Sequence, residues 1–118
     1  MSNPIRKIMV HVDGTEQSVT AAQYAICLAS FSGAELVAHY VINTKAVEDL
    51  LRARIFLQDE QVEYEHDMES DADRYLSYVS ELAAKKGISV VKKCSKGSVY
   101  KEIVDSIKDQ QVDLLVIG

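Results

Sequence analysis

Asp13 is the residue whose type and position most invite chemistry. It follows the apolar, β-branched run Ile8-Met9-Val10-His11-Val12 and precedes Gly14 and Thr15, so it sits where a strand ends and a turn begins. A carboxylate there, beside the first turn of a helix, can accept hydrogen bonds from a ligand's hydroxyl or amine groups. The competing use is local: an aspartate before glycine commonly bonds its own neighbouring backbone, and spacing alone favours that use. Gly118 closes a second apolar run, Asp113-Leu114-Leu115-Val116-Ile117. In an open α/β sheet, the carboxyl end of such a strand is where a glycine-rich loop turns out to meet phosphates.

The remaining reactive residues offer less. His11 and His39 both fall in strand-like runs, where a histidine is more often a packed residue than a ligand or base, and neither has an acidic or thiol partner at metal-ligand spacing. No metal site is expected. The run of Asp59, Glu60, Glu63, Glu65, His66, Asp67, Glu69, Asp71 and Asp73 lacks the order of a calcium loop and reads as a solvated helix face. No Gly-x-Ser-x-Gly elbow, P-loop or Gly-x-Gly-x-x-Gly occurs, so no catalytic residue is assigned, and kinase-like or dinucleotide-dependent chemistry has no support. Asp13-Gly14-Thr15-Glu16 also departs from the serine- and glycine-rich segment of adenylating enzymes. Cys27 and Cys94 read as free thiols with a packing role.

These residues must be held by regular elements. After the first strand, Thr15 can cap a helix in which Val19, Ala22, Ala25, Ile26, Leu28 and Ala29 share a face, with Gly33 as its left-handed stop. Glu35 to Ile42 is a continuously apolar second strand, as expected where both sheet faces are covered. The segment from Asn43 to Glu65, with Phe56 and Leu57 in it, reads as a broken helix or a flap. A long helix is predicted from Met68 to Gly87, with Met68, Ala72, Tyr75, Leu76, Val79, Leu82 and Ala83 on one side. A third strand over Ile88 to Cys94 reads as nearer a sheet edge. Gly97-Ser98 then opens a helix with Val99, Ile103, Val104 and Ile107 as its buried stripe, leading into the last strand. This β-α-β-α-β-α-β order predicts an α/β fold: an open, doubly wound parallel sheet in three layers, with ligands bound beyond the carboxyl ends of the strands.

The 118 residues fit a single domain over 1–118. Thirteen basic against eighteen acidic residues give a formal charge of −5, which repels a phosphate backbone and argues against a nucleic-acid partner. No apolar stretch is long enough to span a bilayer, and Met1-Ser2-Asn3-Pro4 does not open a signal peptide. A cytoplasmic protein without a membrane partner is expected.

Val10-His11-Val12-Asp13-Gly14-Thr15, His39-Tyr40-Val41, Gly97-Ser98-Val99-Tyr100-Lys101-Glu102-Ile103 and Asp113-Leu114-Leu115-Val116-Ile117-Gly118, in this order and spacing, resemble the universal stress protein family. The resemblance covers almost the whole chain. It implies a Rossmann-like fold of the adenine nucleotide alpha-hydrolase kind and, in nucleotide-binding members, an ATP site between strands one and four. By that resemblance Asp13 and the backbone of His11 and Val12 lie near adenine and ribose, Val41 meets the adenine, and Gly118 begins the phosphate loop. The family's remaining phosphate loop, fifth strand and fourth helix follow the position of Gly118. A four-stranded version would expose strand four as an apolar edge, so the expectation is a longer native chain, homodimeric when whole. A stress-response binding protein is implied, with at most weak ATPase activity. The alternative is an adaptor of the same fold that acts through dimerisation and protein contacts without nucleotide.

Overall fold

The computed structural model describes residues 4–54 and 58–118. The readings at Met1-Ser2-Asn3 and at Phe56 and Leu57 lie outside the described residues. Along the chain run β1 (Lys7–Val12), α1 (Glu16–Ser32), β2 (Glu35–Ile42), α2 (Thr44–Arg52), α3 (Gln58–Ala84), β3 (Val90–Lys96), α4 (Val99–Gln110) and β4 (Leu114–Val116). The strands pair in the order β3-β2-β1-β4, every pair parallel. From β1 the sheet grows first toward β2 and β3 and then, for β4, to the opposite side. The winding therefore reverses at the β1–β4 junction, where ligands of open α/β sheets bind.

Strand alternation divides the apolar residues between two faces. On one face Ile8, Val10 and Val12 of β1 and Leu36, Ala38, Tyr40 and Ile42 of β2 pack with α1 and α3 into the main core. Alanines 21, 22, 25 and 29 line the inner side of α1, and their small side chains let that helix lie close to the sheet. From α3 come Ala72, Leu76, Val79 and Ala83, all buried. Burying one such Leu, Ile or Val stabilises the fold by about 1.5–3 kcal/mol. At odd positions of β1 and β2, Met9, Val37 and His39 face the other way and are also buried. On that side α4 delivers Ser106, whose hydroxyl lies 3.2 Å from His39 Nε2, so helices cover both faces.

The punctuation follows the sequence. Thr15 Oγ1 accepts from the Ser18 amide at 3.1 Å and caps α1. Gly33, in the left-handed region at φ 74°, ends the helix by donating its N–H to the Ala29 carbonyl. Asp113 ties the sheet together before β4 begins: its Oδ2 accepts from the amides of Arg6 at 2.8 Å and Lys7 at 3.0 Å, and its own N–H donates to the Lys7 carbonyl. Those two backbone N–H groups hold the Asp113 carboxyl below its ordinary pKa.

Several local expectations need correction. The segment from Asn43 to Glu65 holds α2 and the start of α3, which begins at Gln58 instead of near Met68. β3 runs over Val90–Lys96, two residues later than read, and is an edge strand as expected. In α4 the stripe of Val99, Ile103, Val104 and Ile107 is only half-buried, and the buried residue is Ser106. On α1, Leu28 is exposed and Ala21 takes a place in the core. Both cysteines are free but exposed, so neither has the packing role expected of it. Among the described residues no helix is long and apolar enough to cross a membrane.

Candidate functional site

The carboxyl ends of β1, β2 and β4 bring the sequence-predicted residues to one end of the sheet. Parallel register pairs His11 with His39 and Val12 with Tyr40, so one step further Val41 stands level with Asp13. Val10 pairs with Val116, which puts Gly118, two steps on, level with Val12. Gly118 lies against the first turn of α1: a Cβ there would overlap the Gln17 carbonyl. A glycine is what lets the chain leaving β4 approach the start of α1 this closely.

Asp13 makes the local turn with one carboxylate oxygen and leaves the other unengaged. Its Oδ1 accepts from the Thr15 amide at 3.0 Å and from Thr15 Oγ1 at 2.6 Å, while its own N–H donates to Ser18 Oγ at 3.3 Å. Ser18 Oγ donates in turn to the Thr15 carbonyl at 2.9 Å. The turn therefore occupies only Oδ1, and Oδ2 has no hydrogen bond among the described residues. Partial burial pushes the Asp13 pKa up, but the Thr15 hydrogen bonds, the Ser18 hydroxyl near the carboxylate and nearby His11 outweigh it, and the net shift is downward. The group is a carboxylate near neutrality, able to accept from two ligand hydroxyls or an amine. Ser18, buried beneath the turn, was not singled out from sequence; its position three residues after a helix cap is the signal that could have found it.

The other residues contribute differently. Val12 sends its side chain into the main core and is 1% exposed, so it offers only backbone to a ligand. Val41 is nearly buried, an apolar wall at the end of β2. His11 is half-buried on the α4 side, its Nδ1 buried without a partner, and burial lowers its pKa although Asp13 opposes this. Beside it His39 is fully buried, with Nε2 at 2.8 Å from Ser95 Oγ and 3.2 Å from Ser106 Oγ. This resembles a serine–base pair, but the imidazole Nδ1 meets no orienting acid and no substrate can reach the group. It serves to join β2, β3 and α4.

Two open clefts border this end of the molecule. One, of about 450 Å³, lies between α1 and β4 and is lined by Glu16, Gln17, Thr20, Tyr24, Ile117 and Gly118 among others. The second, of about 430 Å³, lies between α3 and β3. Two of its charged residues are already paired, Lys96 Nζ meeting Glu69 Oε1 at 2.5 Å, and it includes none of the predicted site residues. Among the described residues no group of three or more His, Cys, Asp or Glu side chains could hold a metal ion.

Comparison with known proteins fits this fold. The profile of the universal stress protein family matches residues 4–118. A universal stress protein of Methanocaldococcus jannaschii is 27% identical over 116 residues, which is 98% of this chain and 65% of that protein. The chain thus spans just under two thirds of that relative's length. Among solved structures, a universal stress protein family member from Burkholderia pseudomallei superposes with a TM-score of 0.78 at 18% identity, covering 98% of this chain and 83% of its own. A family protein from Arabidopsis thaliana, solved with AMP bound, gives 0.70 at 15% identity over 96% of this chain and 76% of its own. At these identities the two structures establish a shared fold, the three-layer adenine nucleotide alpha-hydrolase-like sheet.

Proposed function

The chain belongs to the universal stress protein family, and from that premise we propose that it binds ATP or another adenine nucleotide at the carboxyl ends of β1 and β4. The observation that carries this reading is Asp13, whose Oδ1 is fixed by Thr15 while Oδ2 stays unengaged, one residue past the strand at which the winding reverses. Oδ2 would receive the ribose hydroxyls or the adenine amine, and the backbone of His11 and Val12 would line the same side. Val41 supplies an apolar surface for the base. Gly118 begins the segment that would approach the phosphates, since a glycine frees backbone N–H groups for close contact. The AMP-bound Arabidopsis relative supports this choice of ligand class.

The protein would act by ligand-dependent shape, the nucleotide ordering the loop after β4 and changing the surface offered to partners. It would be a homodimeric cytoplasmic stress-response protein and at most a weak ATPase. An adaptor role without nucleotide is the second reading, favoured by the exposed Tyr24 and Phe31 of α1, which are 67% and 94% accessible. Calorimetry separates the two. Asp13→Ala is expected to weaken AMP and ATP binding by about tenfold or more, the worth of hydrogen bonds to a charged group. The variant still folds, because the lost Thr15 bonds cost only about 1–2 kcal/mol. Asp13→Asn, which keeps a carbonyl acceptor for Thr15, should fall between. Unchanged affinity in Asp13→Ala would remove the residue from the site, and the absence of binding in the unaltered protein would favour the adaptor.

A further inference from the structure

The turn that holds Asp13 is covered on its outer side by an aromatic ring from a distant helix. Gly14 has φ 84°, the left-handed region that side chains disfavour. A Cβ built on it would lie 2.7 Å from Cε2 and 2.9 Å from Cζ of Tyr75, so the ring occupies the space that any other residue's side chain would fill. Tyr75 is itself held: it packs against the main core from α3, and the Arg74 guanidinium carbon lies 5.0 Å from its ring centroid. Val19, near the start of α1, lines a shallow groove together with Tyr75 and Tyr78. The ring thus bears on the backbone between Asp13 and Thr15, the two residues whose hydrogen bonds orient the carboxylate.

We propose that Tyr75 is a positioning residue for Asp13: its ring clamps the left-handed turn at Gly14, keeps Oδ1 on Thr15 and thereby aims Oδ2 at the ligand. The aiming of Oδ2 rests on the nucleotide-binding reading, whereas the clamp itself is a property of the unliganded protein. The atoms nearest that Cβ position are the ring carbons Cε2, Cζ and Cδ2, so Tyr75→Phe should behave as the unaltered protein and Tyr75→Ala should not.

Two readouts test this on the folded protein. The first needs no ligand: the Asp13 carboxyl is titrated by NMR. Loosening the turn weakens the Thr15 hydrogen bonds, so Tyr75→Ala should move the Asp13 titration upward toward an ordinary aspartate, with Tyr75→Phe restoring the low value. The second is AMP affinity, expected to weaken by about threefold to tenfold in Tyr75→Ala, the range for residues that act through a neighbour. In an Asp13→Ala background the same substitution should have no further effect on affinity, which a purely structural role would not produce. Tyr75→Leu, which keeps core volume without a flat ring, serves if the alanine variant does not fold. An unmoved Asp13 titration in either folded variant overturns the proposal. Failure of the unaltered protein to bind AMP overturns the nucleotide reading and leaves the titration to decide the clamp.

Discussion

The unfolding free energy should fall by about 3 kcal/mol between pH 7 and pH 4 through His39 alone. Its side chain has no exposed surface. Burial, then the neighbouring charges of His11 and Lys93, lower its pKa from 6.5 to about 4. Facing it are His11 from β1, Lys93 and Ser95 from β3 and Ser106 from α4, and among the described residues no carboxylate offsets these effects. The folded state therefore resists the proton that the unfolded chain accepts. Above pH 6.5 both states are neutral and the full stability is present. As the pH drops below 6.5 the unfolded chain is protonated first, and stability declines until about pH 4, where the folded imidazole also titrates and the loss levels off. His11, shifted in the same direction, adds to the slope. Asp13 and Asp113, both shifted down, lose their contributions only at lower pH. Urea unfolding of the protein and of His39→Gln, which can still bond Ser95 or Ser106 but does not titrate, isolates the effect. The difference between them should shrink by about 3 kcal/mol from pH 7 to pH 4. A constant difference would mean that His39 is readily protonated in the fold.

Gly14→Ala is the second large effect, an expected loss of about 2–3 kcal/mol. A left-handed alanine costs about 1–2 kcal/mol, and its Cβ, 2.7 Å from the Tyr75 ring, forces that ring from its rotamer for roughly another 1 kcal/mol. Gly33→Ala is the internal control. Gly33 has nearly the same φ, 74°, but a Cβ placed there would meet nothing within 4 Å, so it should lose only the conformational part. Urea midpoints at pH 7 report the two losses. Equal losses would show that Tyr75 yields freely and does not clamp the turn.

The strands and the order of elements were legible because their apolar runs are dense: Ile8 to Val12 and Leu36 to Ile42 leave little choice of structure. The beginning of α3 was not, since between Gln58 and Asp67 the apolar side chains are Val62 and Tyr64, two residues apart and both exposed, which gives no helical hydrophobic period to read. The two-residue displacement of β3 has a related cause. At a sheet edge Lys92, Cys94 and Lys96 are tolerated on the strand, and a polar edge blurs where the strand starts. In α4 the apolar spacing was real, but the helix is rotated so that Ser106 meets His39. A buried polar pairing between residues so far apart in sequence cannot be seen in periodicity.

The candidate site was legible to the extent that it lies at strand ends. Asp13, Val41 and Gly118 were placed by resemblance, and the register brings them to one end of the sheet. Ser18 and Tyr75 were missed as parts of it. Each acts on the Asp13 turn through three-dimensional contact: Ser18 through its hydroxyl, Tyr75 through a ring that reaches Gly14 from another helix.

Binding of an adenine nucleotide at the carboxyl ends of β1 and β4 can be followed by titrating isotope-labelled protein with AMP and recording backbone amide resonances. Saturable shifts are expected at His11, Val12, Asp13, Val41 and Gly118, with the amides of Lys7, Glu35 and Asp113 at the opposite end of the sheet unmoved. Shifts confined to that opposite end, or none at millimolar AMP, would contradict a nucleotide site at the strand ends.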